Sequence, residues 1–152
     1  MSAVVKPTEQ ALEDWLLDSS LAPVAAADRL TPLYQAARRG ELALPFCAAC
    51  AQPLELEQEI CDCCGSAESL WRTVELRGTV HAATLMHRRE PGLVRAHSPY
   101  PIVDVELTSG HRLVMTTALP THTTPPIGSA VHIGFRRLGD VAIPAIDTLE
   151  DE

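Results

Sequence analysis

The chain has 152 residues, 46% hydrophobic and 21% charged, a balance that fits one ordinary globular domain or two very small ones and excludes a disordered chain. No apolar run approaches the roughly 20 residues that span a bilayer, and the start MSAVVKPTEQ lacks the basic-then-apolar order of a signal peptide. A cytoplasmic protein with no membrane partner is therefore expected, in a compartment where clustered cysteines favour metal over disulfide.

Residues 8–18 (TEQALEDWLLD) have helical spacing, with Leu12, Trp15 and Leu16 at i, i+3, i+4. Such a helix would either cap its own domain or pack on a partner protein. Ala22 to Ala27 reads as a linker. A second helix follows with clear punctuation: Thr31 as cap, Pro32 at the first helical position, Arg38 and Arg39 in the last turn, and Gly40 just beyond.

Two cysteine pairs come next, Cys47-Ala-Ala-Cys50 and Cys61-Asp-Cys-Cys64, with ten residues between them. Each C-x-x-C turn aims two thiolates at one ion, and two turns complete a tetrahedron. Gly65 supplies the backbone freedom that the second turn needs. Cys47, Cys50, Cys61 and Cys64 are thus the expected metal ligands, in a compact ribbon. Cys63 breaks the x-x spacing and reads as a bystander thiol; a nucleophilic role would need a base that the sequence does not identify. Four thiolates suit Zn2+ or iron. Zinc is favoured because nothing nearby reads as a redox partner, and with every position taken by thiolate its role would be structural.

From residue 71 the hydrophobic period changes to two. Val74, Leu76, Val80, Ala82, Thr84 and Met86 are expected on one face of a long extended run interrupted at Gly78. Val103, Val105 and Leu107 alternate with Asp104 and Glu106, Ser109-Gly110 turns the chain, and Leu113 and Met115 alternate on the return. Val131, Ile133 and Phe135 mark another strand, with His132, Gly134 and Arg136 on its other face and the Arg136-Arg137 pair at its end. Two long loops, 88–99 and 120–128, interrupt the series. A five-stranded OB-type barrel fits this count and spacing, with a sandwich fragment as the alternative. The fold class expected is mainly β: N-terminal helices over 1–40, a zinc ribbon over 41–70, an OB-fold barrel over 71–147 and an acidic tail over 148–152.

Charge is divided along the chain. Residues 41–70 carry six acids and no Lys or Arg, whereas residues 71–138 carry eight arginines against four acids. An acidic ribbon repels a phosphate backbone, so an OB-type nucleic-acid binder is the weaker reading, and the few aromatics leave little for base stacking. There is no nucleophile elbow, P-loop or dinucleotide fingerprint. The six histidines show no ligand spacing, and no convincing catalytic set emerges.

The order of parts carries a resemblance. LYQAARRGEL, LPFCAACAQP, CDCCGS, WRTVELRGTV, SPYPIVDVELTSGHRL, PPIGSAVHIGF and AIPAI run in sequence. Together they resemble a bacterial and archaeal family of rubredoxin-like zinc ribbons fused to OB-folds, long known as a domain of unknown function. The likeness covers about residues 30–147. Asp62 stands where the family usually has Pro, and Cys63 is an added thiol; neither change removes a ligand. Members of that family accompany thiolases, enoyl-CoA hydratases and the thiolase-like aldolases that shorten steroid side chains. The resemblance implies a non-catalytic accessory subunit of a thiolase- or aldolase-type enzyme acting on acyl-CoA, in a hetero-oligomer. The arginine-rich half agrees, since guanidinium forks suit the phosphates of coenzyme A. Arg88, Arg89, Arg95, Arg136 and Arg137 are the candidate CoA contacts. An enzyme handling CoA thioesters itself, through Cys63 or a histidine, is the remaining alternative.

Overall fold

The alternation read over 103–107 forms the spine of the barrel. In the computed structural model, which describes residues 14–24 and 28–149, Val103, Val105 and Leu107 are all buried. The elements are α1 (Thr31–Arg38), β1 (Leu42–Cys47), β2 (Ser69–Val74), β3 (Arg77–Met86), β4 (Tyr100–Leu107), β5 (Arg112–Met115), β6 (Ala130–Leu138) and β7 (Val141–Leu149). β1 and β2 pair antiparallel as a two-stranded sheet, and the other strands form a five-stranded sheet in the order β5-β4-β3-β6-β7. The two edges of that sheet meet beyond β5. A parallel bridge joins Thr117 to Ile146, with Ala118 N–H donating to the Ile146 carbonyl at 2.7 Å and Ile146 N–H to the Thr116 carbonyl at 3.0 Å. The curled sheet so closed is an OB-type barrel, mainly β and preceded by a four-cysteine ribbon, as the sequence predicts.

One apolar core serves both parts. Leu42 and Leu44 of β1 and Leu33 and Tyr34 of α1 lie in the same cluster as Val80, Val105, Val131, Ile133 and Ile146 of the barrel. The inner face of the ribbon sheet is therefore a lid on the barrel core. Among the described residues, no helix is long and apolar enough to cross a membrane.

Several expectations are corrected. Of the helix expected over 8–18, residues 8–13 lie outside the described residues. Residues 14–18 are not helical: they bend, and Leu17 forms an isolated bridge with Val94. A short 3-10 turn follows at Ser19–Leu21, capped by the Asp18 carboxylate on the Ser20 amide. α1 begins at Thr31, one residue before the start expected at Pro32, and its N-cap is Leu30, which has no side-chain cap. The Asp28 carboxylate accepts from Leu30 N–H at 2.8 Å in the turn before the helix. Thr31 instead donates its hydroxyl to the Asp28 carbonyl. Gly40 follows the helix with φ 75°, where glycine is least strained.

The face expected along β3 holds only to Val80. A β-bulge lies between Val80 and Ala82, leaving His81 without a partner on β4. One extra residue exchanges the two faces of everything after it. Ala83 and Leu85 are half-buried, whereas Ala82, Thr84 and Met86 are exposed. β6 also runs further than expected, to Leu138, so Arg136 and Arg137 lie within the strand and pair with Ile143 and Ala142 of β7.

Gly78 is where β3 is flanked on both sides, by Leu107 of β4 and Val131 of β6. A Cβ there would stand 2.6 Å from Val105 Cγ1 and 2.7 Å from the Glu106 carbonyl oxygen, closer than real contacts allow. Gly78→Ala should therefore destabilise the barrel by about 1–3 kcal/mol, the usual scale for overpacking a tight core. A denaturant midpoint equal to that of the parent protein would contradict this close approach.

Candidate metal centre

Both cysteine turns are built on one backbone plan. In the first, Cys47 N–H donates to the Gln52 carbonyl at 2.8 Å and Ala51 N–H donates back to the Cys47 carbonyl at 2.9 Å. In the second, Cys61 N–H donates to the Ser66 carbonyl at 2.9 Å and Gly65 N–H to the Cys61 carbonyl at 2.8 Å. The fourth residue after each leading cysteine has a left-handed backbone, φ 63° at Ala51 and 77° at Gly65. Gly65 is expected from the sequence; Ala51 is not. The signal that finds it is the internal repeat, because Ala51 stands to Cys47 as Gly65 stands to Cys61.

These turns bring the four expected ligands together. The sulfurs of Cys47, Cys50, Cys61 and Cys64 all lie within 4.8 Å of one another, with Cys47 to Cys64 at 3.5 Å and Cys50 to Cys61 at 3.6 Å. A tetrahedral ion with metal–sulfur bonds of about 2.3 Å sets its sulfurs about 3.8 Å apart, so the cluster has the size to hold one ion. Cys47 and Cys61 are buried, and Cys50 and Cys64 are exposed. Cys63 is also exposed and is not among the four.

Backbone amides prepare the sulfurs for the anionic form. The Cys50 amide, with the Ala49 amide and neighbouring thiols, holds Cys47 down to about 6 against the opposing effect of burial. The Gln52 amide favours the Cys50 thiolate, but burial and the thiols of Cys61, Cys64 and Cys47 together push that group up to about 12. At Cys64 the Ser66 amide likewise favours the thiolate and is outweighed, chiefly by Cys47 and burial, so its pKa is raised. One sulfur is readied as an anion and its neighbours resist ionising beside it. A bound cation is what lets all four ionise together.

His111 joins the ribbon to the barrel. It follows the β4–β5 turn and is buried. Its Nε2 lies 2.8 Å from the Pro45 carbonyl oxygen of β1, and its Nδ1 lies 2.7 Å from Ser109 Oγ. The carbonyl can only accept, so Nε2 donates and Nδ1 accepts from the serine hydroxyl. The ring also packs edge-on against Phe46, centroids 4.8 Å apart. Desolvation lowers the His111 pKa, partly offset by the Pro45 bond. Local spacing misses this joint, since nothing near His111 in the chain points to β1. Below it lies a cleft of ≈ 180 Å³ between ribbon and barrel, lined by Leu44, Leu54, Leu56, Asp62, His111 and Arg112 among others.

The five candidate arginines are not gathered in one place. Arg88 and Arg89 are exposed beyond β3, with Arg88 paired to Glu90 at 2.6 Å. Arg137 is exposed on β6. Arg95 and Arg136 do meet, at Asp14: Arg95 Nη1 donates to the Asp14 carbonyl at 2.6 Å, and Arg136 Nε lies 3.2 Å from Asp14 Oδ1. Asp14 is absent from the candidates read from the sequence. Asp104 and Glu106 face different partners: Asp104 is bound by Arg112 across the β4–β5 hairpin, and Glu106 approaches His81 at 4.0 Å.

Comparison with known proteins agrees with this architecture. Residues 71–136 match the family model of the ChsH2 C-terminal OB-fold domain. A curated relative from Thermomonospora curvata, described as a probable enoyl-CoA hydratase alpha subunit, is 35% identical over 81 residues, or 53% of this chain. That stretch is 25% of the relative's length. A solved structure described as an Ltp2–ChsH2(DUF35) aldolase superposes with a TM-score of 0.68 at 24% identity, covering 83% of this chain and 98% of its own.

Two outcomes test the local geometry. Ala51→Gly should stabilise the metal-loaded protein by about 1 kcal/mol or less, because it relieves a side chain held in the left-handed region at some cost in chain entropy. A lower urea midpoint would contradict it. For His111, the stability contributed by the neutral ring is complete above the unfolded-state pKa of about 6.5 and is lost as pH falls through the lowered folded-state value. The melting-temperature gap between the parent and His111→Gln should therefore be larger at about pH 7.5 than at about pH 5.5. An equal gap at both would show that His111 does not titrate as the buried joint requires.

Proposed function

We propose that this chain is a member of the ribbon-plus-OB-fold family whose ChsH2 OB-fold model its residues 71–136 match, and that it is a non-catalytic accessory subunit of a thiolase- or aldolase-type enzyme acting on acyl-CoA substrates. The observation that carries this reading is the likeness to the Ltp2–ChsH2(DUF35) aldolase, which covers 83% of the chain. A subunit of this kind works through surfaces, and its metal holds a shape. Zinc is the proposed ion: four thiolates complete its shell, leaving no position where a water could be activated.

Large apolar side chains are exposed on the barrel, at Val114 of β5, at Leu119 and Ile127 of the following loop, and at Leu149 of β7. Exposed apolar surface of this kind suits a protein partner. A cleft of ≈ 420 Å³ opens beside that loop, lined by Leu119, Pro120, Pro125, Ile146 and Leu149 among others. Arg88, Arg89, Arg95, Arg136 and Arg137 are the proposed contacts to the phosphates of the CoA thioester. A hydratase-type partner is the second reading, favoured by the description of the Thermomonospora curvata relative.

Co-expression with a thiolase-like, aldolase or hydratase protein encoded beside this chain tests the proposal. The two chains should co-elute as a stable complex, and the enzyme purified without this chain should lose stability or activity. An enzyme that elutes separately and is fully active alone would defeat it.

A further inference from the structure

Arg136 is buried without being satisfied. It is 8% exposed, and the Asp14 it faces is 5% exposed. The charges are close, 3.2 Å between Nε and Oδ1, yet Arg136 Nε, Arg136 Nη1 and Asp14 Oδ1 have no hydrogen-bond partner among the described residues. The pair is in contact but poorly aligned. A buried donor left without a bond is costly, and a buried ion pair is favourable only when its remaining hydrogen bonds are made. Burial also lowers the Arg136 pKa, with only partial compensation from Asp14.

The other oxygen of Asp14 is turned to local work. Oδ2 accepts from Leu17 N–H at 2.7 Å and from Leu16 N–H at 3.3 Å, which folds residues 14–18 into a strap. That strap is sewn to the 88–99 loop by Arg95 N–H to the Leu16 carbonyl at 2.7 Å and Asp18 N–H to the Leu93 carbonyl at 2.9 Å. Trp15 Nε1 ties it to the Thr117 carbonyl at 2.9 Å. Two guanidinium groups from separate elements, β6 and the 88–99 loop, thus converge on one acidic residue. Planar guanidinium forks match oxyanions with several acceptor oxygens. The Asp14 carboxylate engages Arg136 through one contact only and leaves Nη1 unused.

We propose that Arg136 and Arg95 form a latent site for a phosphate-type oxyanion, and that Asp14 occupies this site in the free chain. A ligand phosphate would take over the Arg136 fork, satisfy the donors that Asp14 leaves unbonded, and release the strap. The inference rests on the arginines as phosphate contacts and narrows it. The operative pair is the one that converges on Asp14, whereas Arg88 and Arg89 lie elsewhere on the surface.

Calorimetric titration with inorganic pyrophosphate, coenzyme A and dephospho-CoA tests it on the full chain. Asp14→Asn keeps an oxygen to accept from Leu17 but removes the competing charge. It should bind pyrophosphate or coenzyme A at least about tenfold more tightly than the parent, the scale of one charge-assisted hydrogen bond. Asp14→Asn combined with Arg136→Gln should lose that gain. A gain for coenzyme A that dephospho-CoA does not share identifies the 3′-phosphate as the ligand group; equal gains identify the pyrophosphate. Should Asp14→Asn fail to fold, hydrogen exchange on the parent protein decides. Saturating pyrophosphate should speed exchange at the amides of Leu17, Asp18 and Arg95. Unchanged or slower exchange, no binding to either protein, or a gain that survives Arg136→Gln would each overturn the site. A chain that co-purifies with its enzyme but shows none of these effects would leave the subunit reading intact and remove this one.

Discussion

Convergence of four sulfurs into a space under 5 Å across is the constraint on which the ribbon depends. Between the two cysteine turns the chain has almost no core of its own: its buried cluster is Cys47, Leu54 and Cys61. A segment this poor in buried apolar area cannot offset the entropy of ordering its residues. Bonds at the sulfurs must supply the difference, and structural zinc contributes on the order of 10 kcal/mol in modules of this size. The same convergence explains the divided acidity of the thiols, with Cys47 held down to about 6 and Cys50 pushed up to about 12. Four negative sulfurs at these separations repel one another until a cation sits among them.

What an ion at the four sulfurs would organise is transmitted to the barrel by two different kinds of contact. β1 carries Cys47 at one end, Leu42 at the other and Leu44 between them, and both leucines belong to the barrel core. Beside them, His111 fastens the Pro45 carbonyl with a directional bond in a buried setting. The first contact is non-directional and large, the second specific and small, and together they fix where the ribbon stands. Elsewhere on the barrel, residues 14–22 meet β6 and the turn after it. Asp14 reaches Arg136, and Ala22 Cβ lies 3.1 Å from the point where a side chain at Gly139 would begin. The ribbon contact is well satisfied and the strap contact is not. That contrast separates a structural joint from one suited to exchange partners.

The sequence made legible whatever is written in local spacing. Cys47, Cys50, Cys61 and Cys64 declared themselves through two equal intervals, and Val103 to Leu107 through strict alternation. The face of β3 after Val80 was hidden because a single bulged residue, His81, reverses the alternation without altering composition. Trp15 and Leu16 satisfied a helical interval by coincidence. In the fold, Trp15 reaches across to the Thr117 carbonyl, a contact set by tertiary packing that overrides local periodicity. Thr31, expected as the cap, lies inside the first turn and donates its hydroxyl back to the Asp28 carbonyl, while the Asp28 carboxylate holds the Leu30 amide. A shift of one residue at a helix start is not written in composition. The meeting of Arg95 and Arg136 at Asp14 lay beyond reach for a plainer reason. Three residues distant in the chain, on a strap, a loop and a strand, are brought together only by the closure of the barrel.

The central claim, that the ribbon is organised by one ion held by four thiolates, is tested most directly by elemental analysis. The protein would be purified under reducing conditions without added metal and its metal-to-protein ratio measured. The account predicts one zinc ion per chain, retained through gel filtration. A folded, fully reduced protein that carries no metal would contradict it.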